Sequence, residues 1–234
     1  MRQHVRALIF SFGVVLIVTG TPRFGWAQAS DSWVAKPAPS YVNRSASVVA
    51  NGKIYLFGSD DGSGVTSSHS RVYDPVAKTW TTLAPMPMLV TAPAAAVVNG
   101  LIYVIGGHNP STGVLYTPSP NQVYDASRDC WSGTICWPAT FKSPTTARTF
   151  ATAQAVGSTI YLIGGTNSGS LTFNVNEAYD PLTDTWTTKT AMPTARGAMA
   201  SAVLGSKIYV LGGYIDNAGT TTTVNEAYDA TLES

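Results

Sequence analysis

The sequence predicts an all-β chain made of four copies of one sheet-forming unit, and three observations carry that prediction. An Ile-Tyr pair recurs at Ile54-Tyr55, Ile102-Tyr103, Ile160-Tyr161 and Ile208-Tyr209, at spacings of 48, 58 and 48 residues. Each pair is followed by a glycine signal: Gly58-Ser59 in the first copy, then Gly106-Gly107, Gly164-Gly165 and Gly212-Gly213. Tyr-Asp then recurs at Tyr73-Asp74, Tyr124-Asp125, Tyr179-Asp180 and Tyr228-Asp229, with Trp80, Trp131 and Trp186 after the first three. A fixed period of about 51 residues marks a repeat array in which each unit buries its faces against its neighbours.

Within one copy every segment reads as strand. Residues 198–204 are small and apolar, residues 207–211 are β-branched and aromatic, and Gly205-Ser206 between them is a tight hairpin turn. Two more short strands carry the Tyr and the Trp. No long stretch holds apolar residues at helical spacing, so helices are expected to be nearly absent. Four-stranded units of this kind bury both faces by packing around an axis, as the blades of a propeller do.

Met86-Pro87 and Met192-Pro193 complete an order of Ile-Tyr-x-x-Gly-Gly, Tyr-Asp-Pro, Trp and Met-Pro that resembles the kelch motif and spans residues 32–229. The resemblance implies a kelch-type β-propeller in which the double glycine ends the second strand and the Tyr and Trp pack between blades. Glycine permits close backbone approach there, and large aromatics fill the space between twisted sheets. The motif residues are therefore structural. The blades are expected at about 44–87, 90–142, 148–193 and 196–229.

The two ends of the chain differ from the repeats. Arg2, His4 and Arg6, an apolar run over 7–19 and the A-x-A site Ala27-Gln28-Ala29 read as a secretory signal peptide over residues 1–29. The run is too short to span a membrane, so no stable membrane insertion is expected after cleavage, and the protein is expected to be secreted or periplasmic. The domain then covers 30–234. It opens on Trp33 without a preceding Tyr-Asp strand, whereas the last copy stops before any Trp. Residues 32–37 are thus a candidate fourth strand for the last blade, closing a ring of four. A piece of a larger propeller is the alternative.

Copy two departs from the pattern over Asp129-Cys130-Trp131-Ser132-Gly133-Thr134-Ile135-Cys136-Trp137 and lacks Met-Pro. In an exported chain Cys130 and Cys136 are expected to form a local structural disulfide. A redox role would prefer C-x-x-C beside a helix, and a zinc site would need more ligands.

The 14 basic and 13 acidic residues are balanced and unclustered, which argues against nucleic acid as a partner. Removing residues 1–29 leaves 11 basic against 13 acidic residues, a mildly acidic mature chain. His69 and His108 lie between the glycine signal and the Tyr strand, on connections that share a face with the links between blades. That face is the candidate binding surface. It gathers Asp60, Asp61, Asn109, Tyr116, Asn167, Phe173, Asn174, Tyr214, Asp216 and Asn217. Amides, carboxylates and rings suit a sugar, and the same residues also read as ordinary solvated loops.

Arg148 and Arg196 each stand twelve residues before their Ile-Tyr pair, and Arg44 stands ten before, while copy two has Val90 there. Three arginines near an axis could hold a carboxylate, as a cluster in propellers resembling sialic acid mutarotases would. The competing reading pairs Arg148 and Arg196 with Glu177 and Glu226 inside the array. Propellers resembling galactose oxidase need two His, two Tyr and a Cys crosslinked to Tyr; that set is not expected here. No catalytic residue, cofactor or metal site is assigned. The expected function is that of a non-catalytic binding module for a glycan or a protein. A sugar-acid mutarotase and a passive scaffold are the alternatives.

Overall fold

The computed structural model describes residues 34–38, 43–58, 70–167, 171–216 and 218–232. Blade one holds β1 (Ala46–Ala50), β2 (Lys53–Phe57), β3 (Ser70–Asp74) and β4 (Thr79–Thr82). Blade two holds β5 (Ala94–Val98), β6 (Leu101–Ile105), β7 (Asn121–Asp125) and β8 (Cys130–Trp131). Blade three holds β9 (Thr152–Val156), β10 (Thr159–Ile163), β11 (Asn176–Asp180) and β12 (Thr185–Lys189), and blade four holds β13 (Ala200–Leu204), β14 (Lys207–Leu211) and β15 (Asn225–Asp229). All pairings are antiparallel between consecutive strands, and no helix is present among the described residues. The fold is the expected four-blade, all-β propeller arrangement.

The four sheets belong to one compact unit, Pro37–Ser234. Residues 1–29, read as a signal peptide, lie outside the described residues, as do residues 32 and 33 of the expected closing strand. Residues 34–38 form no ladder, and the last sheet has three strands.

Tight hairpins start each blade. Asn51-Gly52 and Asn99-Gly100 have φ of 51° and 71°, and of 52° and 78°, the doubly left-handed turn whose twist matches that of paired strands. The first strands of successive blades then stand side by side, β1 against β5, β5 against β9 and β9 against β13. Together they line one cavity of about 310 Å³ that includes Ser47, Val49, Ala95, Val97, Gln154 and Val203.

Strand alternation explains why Ile-Tyr recurs as a pair. Its isoleucine faces the blade behind and its tyrosine the blade ahead. Tyr55 and Phe57 meet Ile102, Val104, Tyr124 and Trp131 of blade two. Tyr103 and Ile105 meet Ile160, Leu162 and Tyr179 of blade three. Tyr161 and Ile163 meet Ile208 and Val210 of blade four. Ile102, Ile160 and Ile208 are each 0% exposed, whereas Ile54, against which no strand of another blade packs among the described residues, is 39% exposed.

The links between blades are clamped by side chains from the next blade. Ala84 donates its N–H to Asp129 Oδ1 at 2.8 Å, and its carbonyl accepts from Trp131 Nε1 at 2.9 Å. Lys142 repeats this with Asp184 Oδ1 and Trp186 Nε1, both at 2.8 Å. The same two carboxylates accept the phenols of Tyr124 at 2.6 Å and Tyr179 at 2.8 Å. In blade one Trp80 Nε1 donates to the Pro37 carbonyl at 2.8 Å. The carboxylate's position there is Lys78, opposite a proline that has no N–H to give.

Copy two shortens its fourth strand to Cys130–Trp131, and the Cys130–Cys136 disulfide forms with the Cα atoms 6.3 Å apart. The bridge ties the strand end to a turn that passes through Gly133, at φ 73°.

Candidate functional site

Antiparallel order puts the start of each first strand, the end of each second strand and the loop before each third strand on one face, as the pairing of Ala46 with Phe57 shows. Around the axis on this face, four residues hold left-handed backbone: Arg44, Ala92, Phe150 and Ala198, at φ 55°, 51°, 54° and 52°. None is glycine, and each such conformation costs roughly 1 kcal/mol or more. They are held by a chain of bonds from blade to blade. Ala92 N–H donates to the Arg44 carbonyl at 2.8 Å, Phe150 N–H to Ala92 at 3.1 Å and Ala198 N–H to Phe150 at 2.8 Å.

The double glycines serve this junction. A Cβ on Gly106 would stand 2.6 Å from the Arg148 carbonyl, and one on Gly165 2.8 Å from that of Thr149. Glycine therefore lets Gly107 N–H reach the Arg148 carbonyl at 3.1 Å and Gly165 N–H that of Arg196 at 2.9 Å.

The three expected arginines part company here. Arg44 is exposed, with its guanidinium 5.8 Å from the centre of the Phe150 ring. Arg148 and Arg196 are 0% exposed. Arg148 pairs with Glu177, whose other oxygen accepts from the Thr145 N–H at 2.8 Å and from its hydroxyl, and it donates to the Leu162 carbonyl at 2.9 Å. Burial pushes the Arg148 guanidinium down from its usual range, against the opposing pull of Glu177. Arg196 Nη2 lies 3.1 Å from Glu226 Oε2 and 3.0 Å from the Val210 carbonyl. The glutamate pairing expected from the repeated Asn-Glu-Ala-Tyr-Asp is present in both blades.

His108 is half-buried, its Nδ1 3.0 Å from Thr149 Oγ1 and its ring 6.0 Å from that of Phe150. Arg44, Phe150 and His108 thus form one cluster at the axis. Isolated bridges continue it, placing Thr91 against His108, Thr149 against Thr166 and Gly197 against Tyr214. His69, Asp60, Asp61 and Asn217 lie outside the described residues.

The polar loop residues mostly serve their own turns. Asn109 Oδ1 accepts from Ser111 N–H at 2.9 Å, Asn167 Oδ1 from Leu171 N–H at 3.0 Å and Asp216 Oδ1 from Thr220 N–H at 2.9 Å. Those bonds hold the Asp216 carboxyl below its ordinary range, the Thr220 bonds foremost. Tyr116 donates its hydroxyl to the Leu89 carbonyl at 2.8 Å, and the Asn174 carbonyl accepts from Met192 N–H at 2.8 Å.

Sequence reasoning named Tyr214 but missed other apolar side chains of the same loops, Val114, Leu171 and Ile215. Val114 is 58% exposed, Leu171 62%, Tyr214 38% and Ile215 40%. The signal was available: apolar residues in loops that turn chemistry alone does not require. Phe150 was also missed, because its left-handed backbone has no sequence mark. The buried phenols are held protonated: Tyr103 is pushed up to about 12, first by burial and then by the Asp184 charge. Tyr124 and Tyr179 are raised further, by burial and then by their aspartates. Among the described residues no group of three His, Cys, Asp or Glu could hold a metal ion.

A blade array with a loop-built end face defines a propeller of the binding and interaction class. Residues 46–232 match the family model of the KLHDC2/KLHL20/DRC7 Kelch-repeats domain, and the chain belongs to the kelch-repeat family. It is similar to Kelch-like protein 35 of Mus musculus, 31% identical over 177 residues, which covers 76% of this chain and 28% of that protein. It is also similar to Kelch-like protein 36 of Bos taurus, 28% identical over 195 residues, covering 80% of this chain and 30% of that protein. The chain spans under a third of the length of these relatives. Among the described residues no helix is long and apolar enough to cross a membrane.

Proposed function

We propose that the chain binds a protein partner through its loop face, with Arg44, Phe150, Tyr214 and Ile215 around the axis and Val114 and Leu171 on the flanking loops. The observation that carries this reading is the exposure of four apolar side chains, Val114, Leu171, Tyr214 and Ile215, on one face beside an exposed arginine. Apolar and aromatic anchors beside an arginine suit a protein surface. A glycan is the second reading; it is favoured by the Tyr214 ring but less so by Asn109, Asn167 and Asp216, whose oxygens already accept turn hydrogen bonds. We also propose export on residues 1–29, in keeping with a disulfide that an oxidising compartment preserves; a mature amino terminus at Ser30 in the extracytoplasmic fraction is the expected result.

The test screens the purified protein against a displayed peptide library and a glycan array. Peptides should be enriched, and their binding lost with Arg44→Ala or Tyr214→Ala. It should survive Val76→Ala and Leu182→Ala, which alter side chains 89% and 92% exposed on the opposite face. Glycan binding alone, or binding indifferent to Arg44 and Tyr214, would refute the protein reading.

A further inference from the structure

Blade two lacks the second half of its fourth strand, and the gap is a shaped pocket. In blade three β12 runs the length of β11, pairing Asn176 with Lys189, Glu177 with Thr188 and Ala178 with Thr187. In blade two β8 ends at Trp131, and among the described residues no ladder partner stands opposite Asn121 on that side. The link then takes a longer way. Asn121 Nδ2 donates to the Lys142 carbonyl at 3.0 Å as Asn176 Nδ2 donates to that of Thr190 at 3.2 Å, so Lys142 and Thr190 hold equivalent places. Thr190 stands four residues after Trp186 and Lys142 eleven after Trp131, an excursion of seven extra residues. Insertions in one copy of a repeat gather in loops on one face, often the binding face.

The excursion has a fixed shape. The Cys130–Cys136 bridge ties its start, Gly133 N–H donates to the Ala139 carbonyl at 2.8 Å, and Thr134 and Trp137 exchange main-chain bonds of 3.1 Å each. The Trp137 ring stands edge-on to that of Phe141 at 5.5 Å. Between the excursion and β7 lies a cavity of about 350 Å³, lined by the buried Asn121, Gln122 and Ser132, the half-buried Tyr116 and Phe141 and the exposed Met88 among others. No charged side chain lines it. The amide of Gln122 is engaged by the Met88 main chain, and Ser132 Oγ accepts from Val123 N–H at 2.9 Å.

The main chain of Asn121 is directed to this gap. Alternate residues of an antiparallel strand send their main-chain groups to opposite neighbours. Gly106 N–H donates to the Pro120 carbonyl at 2.9 Å and Ser132 N–H to that of Val123 at 2.8 Å, so Pro120 faces β6 while Asn121 and Val123 face the fourth-strand side. In blade one the corresponding Ser70 carbonyl accepts from Leu83 N–H at 2.9 Å, but no such bond joins Phe141 to Asn121 among the described residues. We propose that an extended peptide segment of the protein partner fills the gap, pairing with Asn121 as Lys189 pairs with Asn176 and setting an uncharged, apolar side chain against the Tyr116 and Phe141 rings. Main-chain pairing at an open strand edge gives affinity, and a pocket beside it gives specificity. A charged side chain there would be buried without a counter-charge. The inference rests on the protein-binding reading of the loop face, onto which the start of β7 opens, and it gives that partner a chemistry.

Fluorescence anisotropy tests this with short end-blocked peptides that carry Leu, Phe or Trp at the centre of an uncharged sequence, beside the same peptides with Lys or Glu there. The uncharged set should bind, and the charged set should bind at least about tenfold more weakly. Thr140→Trp, which fills the pocket, and Met88→Glu, which sets a charge at its edge, should each weaken binding about tenfold at an unchanged melting temperature, since both side chains are exposed. Hydrogen exchange at the Asn121 amide should slow in the complex. Binding lost with Arg44→Ala or Tyr214→Ala but kept by both pocket variants would overturn the pocket and leave the protein-binding reading standing. Equal binding of charged and uncharged peptides, or Asn121 exchange that bound peptide leaves unchanged, would do the same. Failure of every peptide, here and in the displayed library, would overturn both.

Discussion

Replacing Arg148 with Met tests whether the buried arginines hold the array together or wait for a ligand carboxylate. Arg148 and Glu177 have side chains 0% and 1% exposed, so removing the cation strands a carboxylate without water. Breaking one partner of a buried pair costs about 3–5 kcal/mol. In a domain of this size about 2–4 °C of melting temperature is lost per kcal/mol, so the drop should reach roughly 6–20 °C. Replacing Glu177 with Leu should cost about as much, because it strands the guanidinium instead. The double variant removes both charges but leaves the Leu162 and Thr146 carbonyls without their donor and the Thr145 N–H and hydroxyl without their acceptor, at about 1–3 kcal/mol for each of these groups that stays out of water. Urea denaturation of all four proteins gives the coupling directly. Single variants that cost under about 1 kcal/mol, or effects that simply add, would refute the structural role. Arg196→Met should cost less, because Glu226 retains 16% side-chain exposure and can be partly hydrated.

The blade clamps predict a loss and a gain. Asp129→Ala leaves the Tyr124 hydroxyl and the Ala84 N–H without their acceptor, and chemical denaturation should show about 1–3 kcal/mol lost. Lys78→Asp should instead stabilise blade one by about 0.5–1.5 kcal/mol, because it offers the buried Tyr73 hydroxyl, without a hydrogen-bond partner among the described residues, the acceptor that Tyr124 and Tyr179 have in blades two and three. Lys78 has φ 58°, a region that aspartate tolerates better than lysine, so the exchange adds no backbone strain. Acid titration should follow the repeated turn: Asp74, Asp125 and Asp180 are held low by hydrogen bonds within the turn, and Asp229 chiefly by Lys207. A depressed folded value stabilises above the unfolded value of 3.8 and is lost as pH falls through the folded one, so melting temperature should hold near neutrality and drop steeply below pH 3.8. Reducing the Cys130–Cys136 bridge, whose Cys136 side is exposed, should cost about 2 kcal/mol for so short a loop, measured as a lower denaturation midpoint.

What could be read in the sequence was whatever repeats. Ile-Tyr, Gly-Gly and Tyr-Asp recur because every blade meets the same neighbour in the same way, so their spacing exposes the fold without any contact being known. The Arg148–Glu177 and Arg196–Glu226 pairs were legible for the same reason, since each partner recurs with the other. Arg44 was not: it stands two residues later in its blade, at the left-handed position of Phe150, and its ten-residue spacing was a strand-parity argument applied to a turn. In sequence Asn109, Asn167 and Asp216 suit a sugar and also read as ordinary solvated loop residues. Their side chains close turns, a choice made by backbone geometry that composition does not report.

The departures from the repeat carry the rest of the information, because each removes one half of an interaction and is matched by loss of the other half. Pro37 has no N–H to give, and the residue that would accept it is Lys78 where blades two and three carry aspartate. Val90 replaces the buried arginine in blade two, and Gln122 stands where blades three and four place Glu177 and Glu226. Gln122 then uses its amide differently, accepting from Met88 N–H at 2.7 Å and donating to the Met88 carbonyl at 3.1 Å. A buried carboxylate opposite Val90 would be unpaired, and the neutral amide removes that cost while still holding the link between blades. The ion pair and the amide are thus alternative solutions to one packing problem. That equivalence is why a buried arginine in this fold requires no ligand to explain it, and why the binding reading rests on the exposed loop face instead.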